Sequence, residues 1–276
     1  MHLSKTLLRS YLALLSSLFL LSPISAQAGA WLQEEDQGEI NLNYSYFSSD
    51  ESFDASGNKQ NGNFFSKNEL NPYFEYGVDE DLTIGGSLSF QSIATLSAVT
   101  DTDNLTFSYF DIFARTYLVE NDDFVISIEP RAHVPVNSDA ALNPEGDDII
   151  PELKLAFGAP FQLFDQYSFI DIAGTYRLRD EDTLNNELKD MIKLEGTIGL
   201  KLEKDIMLLG QVFHEQSLGR KTADNTPGNY DLTKLQASVA YDYWETVFIQ
   251  LGAFSHVDGV NTSAGEGALF SLWWKF

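Results

Sequence analysis

The chain closes on Phe270-Ser271-Leu272-Trp273-Trp274-Lys275-Phe276. Successive side chains of an extended strand point to opposite faces. Phe270, Leu272, Trp274 and Phe276 therefore share one face, and Ser271 and Lys275 share the other. One face suits hydrocarbon and the other suits water. Lipid offers no partner to an open backbone edge, so a strand with one lipid-facing side belongs in a sheet closed into a barrel.

The N-terminus points to an exported chain. Lys5 and Arg9 precede an apolar run from Tyr11 to Leu21, then Pro23 and the small-residue sequence Ala26-Gln27-Ala28. This is the layout of a secretory signal peptide over residues 1–28, with the mature chain expected to start at Gly29. The apolar run is shorter than the roughly 20 residues that a spanning helix needs, and no later stretch approaches that length. Exported start and aromatic finish together predict an all-β, antiparallel, up-and-down transmembrane barrel in the bacterial outer membrane. Its expected partners are outer-membrane lipid, lipopolysaccharide and the barrel-insertion machinery, which reads the C-terminal strand ending at Phe276.

Loss of Lys5 and Arg9 leaves 15 basic against 41 acidic residues, a net charge of −26. Such a chain repels nucleic acid, so a nucleic-acid partner is not expected. The absence of Cys excludes disulfides and thiolate metal sites. Aromatic residues are frequent, at 20 Phe, 12 Tyr and 4 Trp, while overall hydropathy is slightly negative. That combination fits a sheet that is apolar on one side only.

Twelve runs of alternating apolar and polar residues recur, at 38–48, 65–78, 82–93, 104–118, 123–136, 149–162, 167–179, 188–203, 206–217, 231–244, 246–257 and 267–276. An even count returns both ends of the sheet to the same side. Short connections are expected at Asp79-Glu80-Asp81, Glu120-Asn121-Asp122, Asp165-Gln166, Lys204-Asp205 and Glu245. Longer polar loops are expected between them, at 49–64, 94–103, 137–148, 180–187, 218–230 and 258–266. Short turns alternating with long loops are the sidedness of a membrane barrel. Residues 29–37 are expected as a periplasmic N-terminal segment, either free or folded back as a plug, and residues 38–276 as the barrel.

A Lys or Arg at the lipid midplane costs about 2–4 kcal/mol, and this assigns the faces. The first strand turns Ile40, Leu42, Tyr44 and Tyr46 outward; the fifth, Ile126, Ile128, Ala132 and Val134; the eighth, Ile192, Leu194, Ile198 and Leu200. In the ninth, from Met207 to Glu215, either face is apolar enough for lipid. Pro72 and Pro130 fall inside strands, where each removes a ladder hydrogen bond, and local bulges are expected there. Tyr44, Tyr46, Phe74, Tyr76, Tyr241, Tyr243, Trp244, Trp273 and Trp274 lie near strand ends, as girdle residues at a membrane interface do.

The same alternation places Asp111, Arg115, Glu129, Arg131, His133, Glu152, Lys154, Asp171, Arg177, Lys193, Glu195 and Lys234 on the inner face, with Lys67, Glu69, Glu75 and Asp242. Acid and base alternate closely. Two readings are open: a pore wall whose charges set selectivity, or paired ions that fill a narrow lumen and stabilise the wall. The long loops are acidic, at Asp50-Glu51 with Asp54, Asp101 with Asp103, Glu145-Gly146-Asp147-Asp148 and Asp180-Glu181-Asp182. Such loops either bind divalent cations or are simply solvated, and none has EF-hand spacing. For catalysis, Ser255 and His256 are neighbours that point to opposite faces, poor geometry for a base and its nucleophile. His133 has no Ser at a spacing that suggests a barrel lipase. No cofactor, metal site or catalytic residue is expected.

Gly29-Ala30-Trp31, then Asn43-Tyr44-Ser45-Tyr46-Phe47 with Phe53-Asp54 and Gly57, then Ser66-Lys67-Asn68-Glu69-Leu70-Asn71-Pro72-Tyr73-Phe74-Glu75-Tyr76-Gly77 form a more particular pattern. This N-terminal third resembles a proteobacterial family described as transporter-like, or as outer-membrane proteins related to phenol meta-pathway components. The resemblance implies a barrel and passage of small organic or aromatic compounds. It carries over no binding residue. The function expected is a porin-like outer-membrane channel for passive or facilitated passage of small solutes. The alternatives are a non-conducting structural or surface-interaction barrel with cation-binding loops, and a barrel hydrolase.

Overall fold

The computed structural model describes residues 29–95, 104–137, 142, 147–163, 166–179, 188–219 and 229–276. The expected signal peptide, residues 1–28, lies outside them. Twelve strands follow in order: β1 (Gly38–Phe53), β2 (Lys59–Asp79), β3 (Leu82–Thr95), β4 (Thr106–Glu120), β5 (Val125–Pro135), β6 (Ile150–Leu163), β7 (Gln166–Arg177), β8 (Met191–Glu203), β9 (Ile206–Ser217), β10 (Asp231–Asp242), β11 (Val247–Val260) and β12 (Thr262–Lys275). Each pairs antiparallel with its sequence neighbours, and β1 closes the barrel on β12. The closing seam runs from Glu39–Lys275 to Phe53–Thr262, so the aromatic C-terminal strand is the last stave and leaves no free edge.

The outer face is the lipid face that the alternation requires. Ile40, Leu42, Tyr44, Ile112, Leu153, Leu155, Ile172, Leu194, Val239, Leu251, Phe270 and Trp274 all stand exposed on it. The partners of these residues in sequence, such as Asn41, Glu129, Ser127, Asp171 and Ser271, are buried inside. So wide an apolar surface is stable in hydrocarbon and a liability in water.

Three expectations need correction. Residues 49–64 and 258–266 are not loops, because β1 and β2 remain paired out to Phe53–Lys59, and β11 and β12 meet at a turn around Asn261. Beyond the lipid both faces of a hairpin are wet, so hydrophobic alternation stops while the backbone ladder continues. The β1–β2 tip is held by Asp54, whose carboxylate accepts the N–H groups of Asn58 at 2.9 Å and Ser56 at 2.8 Å. These bonds hold its carboxyl below the ordinary carboxylate value. The other four long loops, including Asp101, Asp103, Glu145 and Asp180-Glu181-Asp182, fall wholly or largely outside the described residues.

Second, neither Pro72 nor Pro130 causes a bulge. The β2–β3 register is unbroken between Leu70–Phe90 and Tyr73–Ser87, and the β4–β5 register between Phe113–Arg131 and Thr116–Ile128. The ladder simply opens for a rung or two, and at Pro72 the Asn71 side-chain amide donates to the Leu88 carbonyl at 2.8 Å. Third, Trp273 is not a girdle residue: it is 1% exposed, and its ring packs inside on Phe248. Trp273 and Trp274 are consecutive, so only one of them can reach lipid.

The ninth strand is resolved by what covers it. Leu208 and Val212 face out, while Met207 and Leu209 join Phe169, Ala240, Phe248 and Trp273 in an internal apolar cluster. A barrel interior that carries such a cluster needs something apolar to cap it. Trp31 packs against it.

Candidate functional site

Residues 29–37, expected as a periplasmic segment, fold into the mouth of the barrel at the end that carries the short turns. Backbone pairing anchors the segment: Glu35 bridges Gly77 in parallel, Asp36 N donates to Gly77 O at 3.0 Å, and Gly77 N donates to Gln37 O at 2.9 Å. Gly77 permits this approach, since a Cβ there would lie 2.1 Å from Glu34 O. Upstream, Gln33 N donates to Thr83 Oγ1 at 2.8 Å, Leu32 N to the Tyr117 hydroxyl at 3.0 Å and Ala30 N to Asp171 Oδ2 at 2.9 Å. Trp31 meets Phe169 edge to face, with centroids 5.8 Å apart. Gly158 makes room for the indole, because a Cβ there would come within 2.5 Å of it. A second apolar cluster, of Ala30, Val125, Ala156 and Ala173, packs on the other side of Trp31.

Arg115 locks this segment to the wall. Its guanidinium donates to Trp31 O at 2.8 Å, to Glu129 Oε2 at 2.8 Å and to Glu75 Oε2 at 3.2 Å. The Arg115 and Glu129 side chains are 3% and 1% exposed, so both charges have left bulk water. Glu129 also accepts from Arg131 at 2.6 Å, and Glu75 accepts from the Tyr73 hydroxyl at 2.6 Å and from Gln33. Phe113 lies beneath both arginines, 5.1 and 5.0 Å from their guanidinium carbons. Higher in the barrel, Glu152 takes Arg177 and Lys193, Lys154 pairs with Glu195 at 2.8 Å, and Lys67 pairs with Glu69 at 2.8 Å. His133 Nδ1 sits 2.8 Å from Asp111 Oδ1, and Ser87 donates to Asp111 Oδ2 at 2.9 Å.

These groups border a lumenal cavity of about 760 Å³. Of the twelve candidates read from the sequence, Asp111, Arg115, Arg131, His133, Glu152, Lys154, Asp171, Arg177, Lys193, Glu195 and Lys234 line it, and Glu129 sits behind Arg115 and Arg131. Lys234 stands apart on the opposite wall, among Phe213, Phe254 and His256. Glu75, placed on the inner face by the sequence, joins the lining residues. Two further groups escape the sequence reading: Tyr73 lies on the inner face of β2 and follows from alternation alone, whereas nothing periodic marks Trp31 as a lumenal residue. Among the described residues, no group of three or more His, Asp or Glu is arranged to hold a metal. Of the acidic loop residues, Asp54 closes its own turn and Glu51 pairs with Lys59 at 2.5 Å.

No family model matches the chain, and no curated protein matches it. The fold is nevertheless one seen before. The COG4313 outer membrane channel from Pseudomonas putida F1 superposes with a TM-score of 0.68 over 93% of this chain and 100% of its own, at 12% identity. The NanC porin superposes with a TM-score of 0.55 over 86% of this chain and all of its own, at 9% identity. The β domain of the Bordetella autotransporter BrkA reaches 0.50 over 88% of this chain and 100% of its own, at 10% identity. At these identities the likeness establishes the architecture: a closed, twelve-stranded barrel of outer-membrane type.

Proposed function

We propose that this chain is an outer-membrane channel for small solutes, among them small organic or aromatic compounds, with its conductance limited by residues 29–35. The observation that carries this reading is a polar, charged cavity inside a lipid-facing barrel, narrowed at one end by a segment that has its own docking contacts. A wall built only for rigidity has no need of an internal segment held by glycine-lined approaches at Gly77 and Gly158. Two neighbours of like fold are described as an outer membrane channel and a porin, and the family resemblance of the N-terminal third points to small organic compounds.

A hydrolase reading draws no support from the site. His133 faces Asp111, and Ser87 donates to the same Asp111 rather than to the imidazole, so this imidazole is not aimed at a hydroxyl it could activate.

The test is single-channel recording of refolded mature protein in planar bilayers, with reversal potentials under a salt gradient. Discrete steps with a defined ion preference are expected. Removal of residues 29–35 is expected to enlarge them, and Glu129→Ala with Arg131→Ala to shift the preference. Silence from both the full and the shortened barrel, each shown to be folded, would overturn the channel and leave the non-conducting structural barrel.

A further inference from the structure

The half of the lumen nearest the long loops has two unlike walls. On β5 to β8, Arg131, Lys154, Arg177 and Lys193 are each tied to a carboxylate. On β9 to β12, β1 and β2 the wall carries a cluster of rings, with Phe213, Phe254, His256, Phe47 and Phe65 at neighbouring register positions, set among polar residues that include Glu69 and Glu215. Phe47 stacks on His256 with centroids 4.3 Å apart and lies 8° from parallel with Phe254 at 6.1 Å. Two glycines on β12 make this possible. A Cβ at Gly267 would strike the Phe254 ring at 2.2 Å, and one at Gly265 would meet the Phe47 ring at 2.9 Å.

Into this aromatic wall projects Lys234. Its ammonium lies 4.1 Å from the centroid of Phe213 and 5.3 Å from that of Phe254. Among the described residues, it is the one lysine or arginine of the cavity wall with no carboxylate oxygen within 4.0 Å. Its acidic electrostatic neighbours are already engaged: Glu215 accepts the Tyr230 hydroxyl at 2.5 Å, Glu69 holds Lys67, Ser89 and Gln91, and Glu195 pairs with Lys154 at 2.8 Å. Ring faces attract an ammonium without satisfying its three N–H donors.

We propose that this wall is a binding site for a small aromatic carboxylate, with the carboxylate on Lys234 and the ring against Phe47, Phe254 and His256. Apolar rings lining a wet cavity next to one uncommitted cation match a ligand that is apolar at one end and singly charged at the other. A phosphate fits less well, because Lys67, the nearest second cation, is held by Glu69. The strongly acidic chain repels anions in general, so an unpaired lysine inside the lumen supplies a local and selective exception.

The inference rests on the channel reading only for how the ligand arrives. Binding is measured separately, by titration calorimetry of the folded barrel in detergent with benzoate, acetate and benzyl alcohol. Benzoate is expected to bind about tenfold or more tighter than either of the others, since each lacks one half of the recognition. Lys234→Gln is expected to weaken benzoate by about tenfold, Lys234→Arg to retain it, and Phe254→Leu to weaken benzoate and benzyl alcohol alike. Benzyl alcohol binding as well as benzoate, or full benzoate affinity in a folded Lys234→Gln barrel, would overturn the proposal. Bilayer recordings on the same preparations separate the two readings. A silent barrel that binds benzoate keeps the site and loses the channel; a conducting barrel that ignores benzoate does the reverse.

Discussion

The turn end and the loop end of the lumen are built from the same residue types and put them to opposite use. At the turn end Arg115 is fully answered, engaging Glu75, Glu129 and the Trp31 carbonyl. At the loop end Lys234 lies against rings, with no carboxylate oxygen within 4.0 Å among the described residues. Desolvated ions are tolerated only with excellent partners, and removing one partner costs far more than the pair contributes. The lesson is about reading a charged interior. Paired buried ions say that a wall is closed and stiff, whereas an uncommitted cation says where something else is received.

The largest effect is expected where that pairing is broken. Arg115→Met leaves Glu75 and Glu129 buried and unanswered and should cost about 3–5 kcal/mol, read by urea unfolding in micelles; a loss below about 1 kcal/mol would mean that water screens this end after all. Next is the outer surface. Ile172 stands exposed in mid-strand, so Ile172→Arg should cost about 2–4 kcal/mol in refolding into vesicles while leaving ion preference untouched. Trp31→Ala removes a half-buried ring worth about 1–2 kcal/mol, but its main readout is current: conductance should rise several-fold, and Gly158→Val, which displaces the same indole, should do likewise. An unchanged current in both variants would remove the segment from the conduction path. Asn71→Leu loses the amide that answers Leu88 and should cost about 1 kcal/mol. The smallest effect belongs to the β1–β2 tip. Because the Asp54 carboxyl is held below its ordinary value by Asn58 and Ser56, its contribution is present above the unfolded value of 3.8 and is lost as pH falls through the lowered one. Amide protection factors at Ser56 and Asn58, corrected for the intrinsic rate at each pH, should fall on that acid side.

Much of this was legible in the chain because lipid is a strict judge. A polar residue cannot face hydrocarbon, so alternation located all twelve strands and sorted Glu129, Arg131, Lys193 and Glu195 inward. Where lipid ends, that judgement ends too, and 49–64 and 258–266 read as loops although 51–53 stay paired with 59–61, 258–260 with β10 and 262–264 with β1. β9 was ambiguous for a related reason: its inner face is apolar to receive Trp31, a partner far away in sequence.

The sequence by itself determined the barrel, its strand count, its lipid face and the charged character of its interior, since each follows from period-two patterning against a fixed solvent. Only the tertiary structure decided which charges meet, that residues 29–37 enter the mouth, and that Lys234 is left among rings. Those depend on closure. Joining β1 to β12 brings strands remote in sequence around one lumen, and contacts across that lumen obey distance and packing rather than any periodicity along the chain.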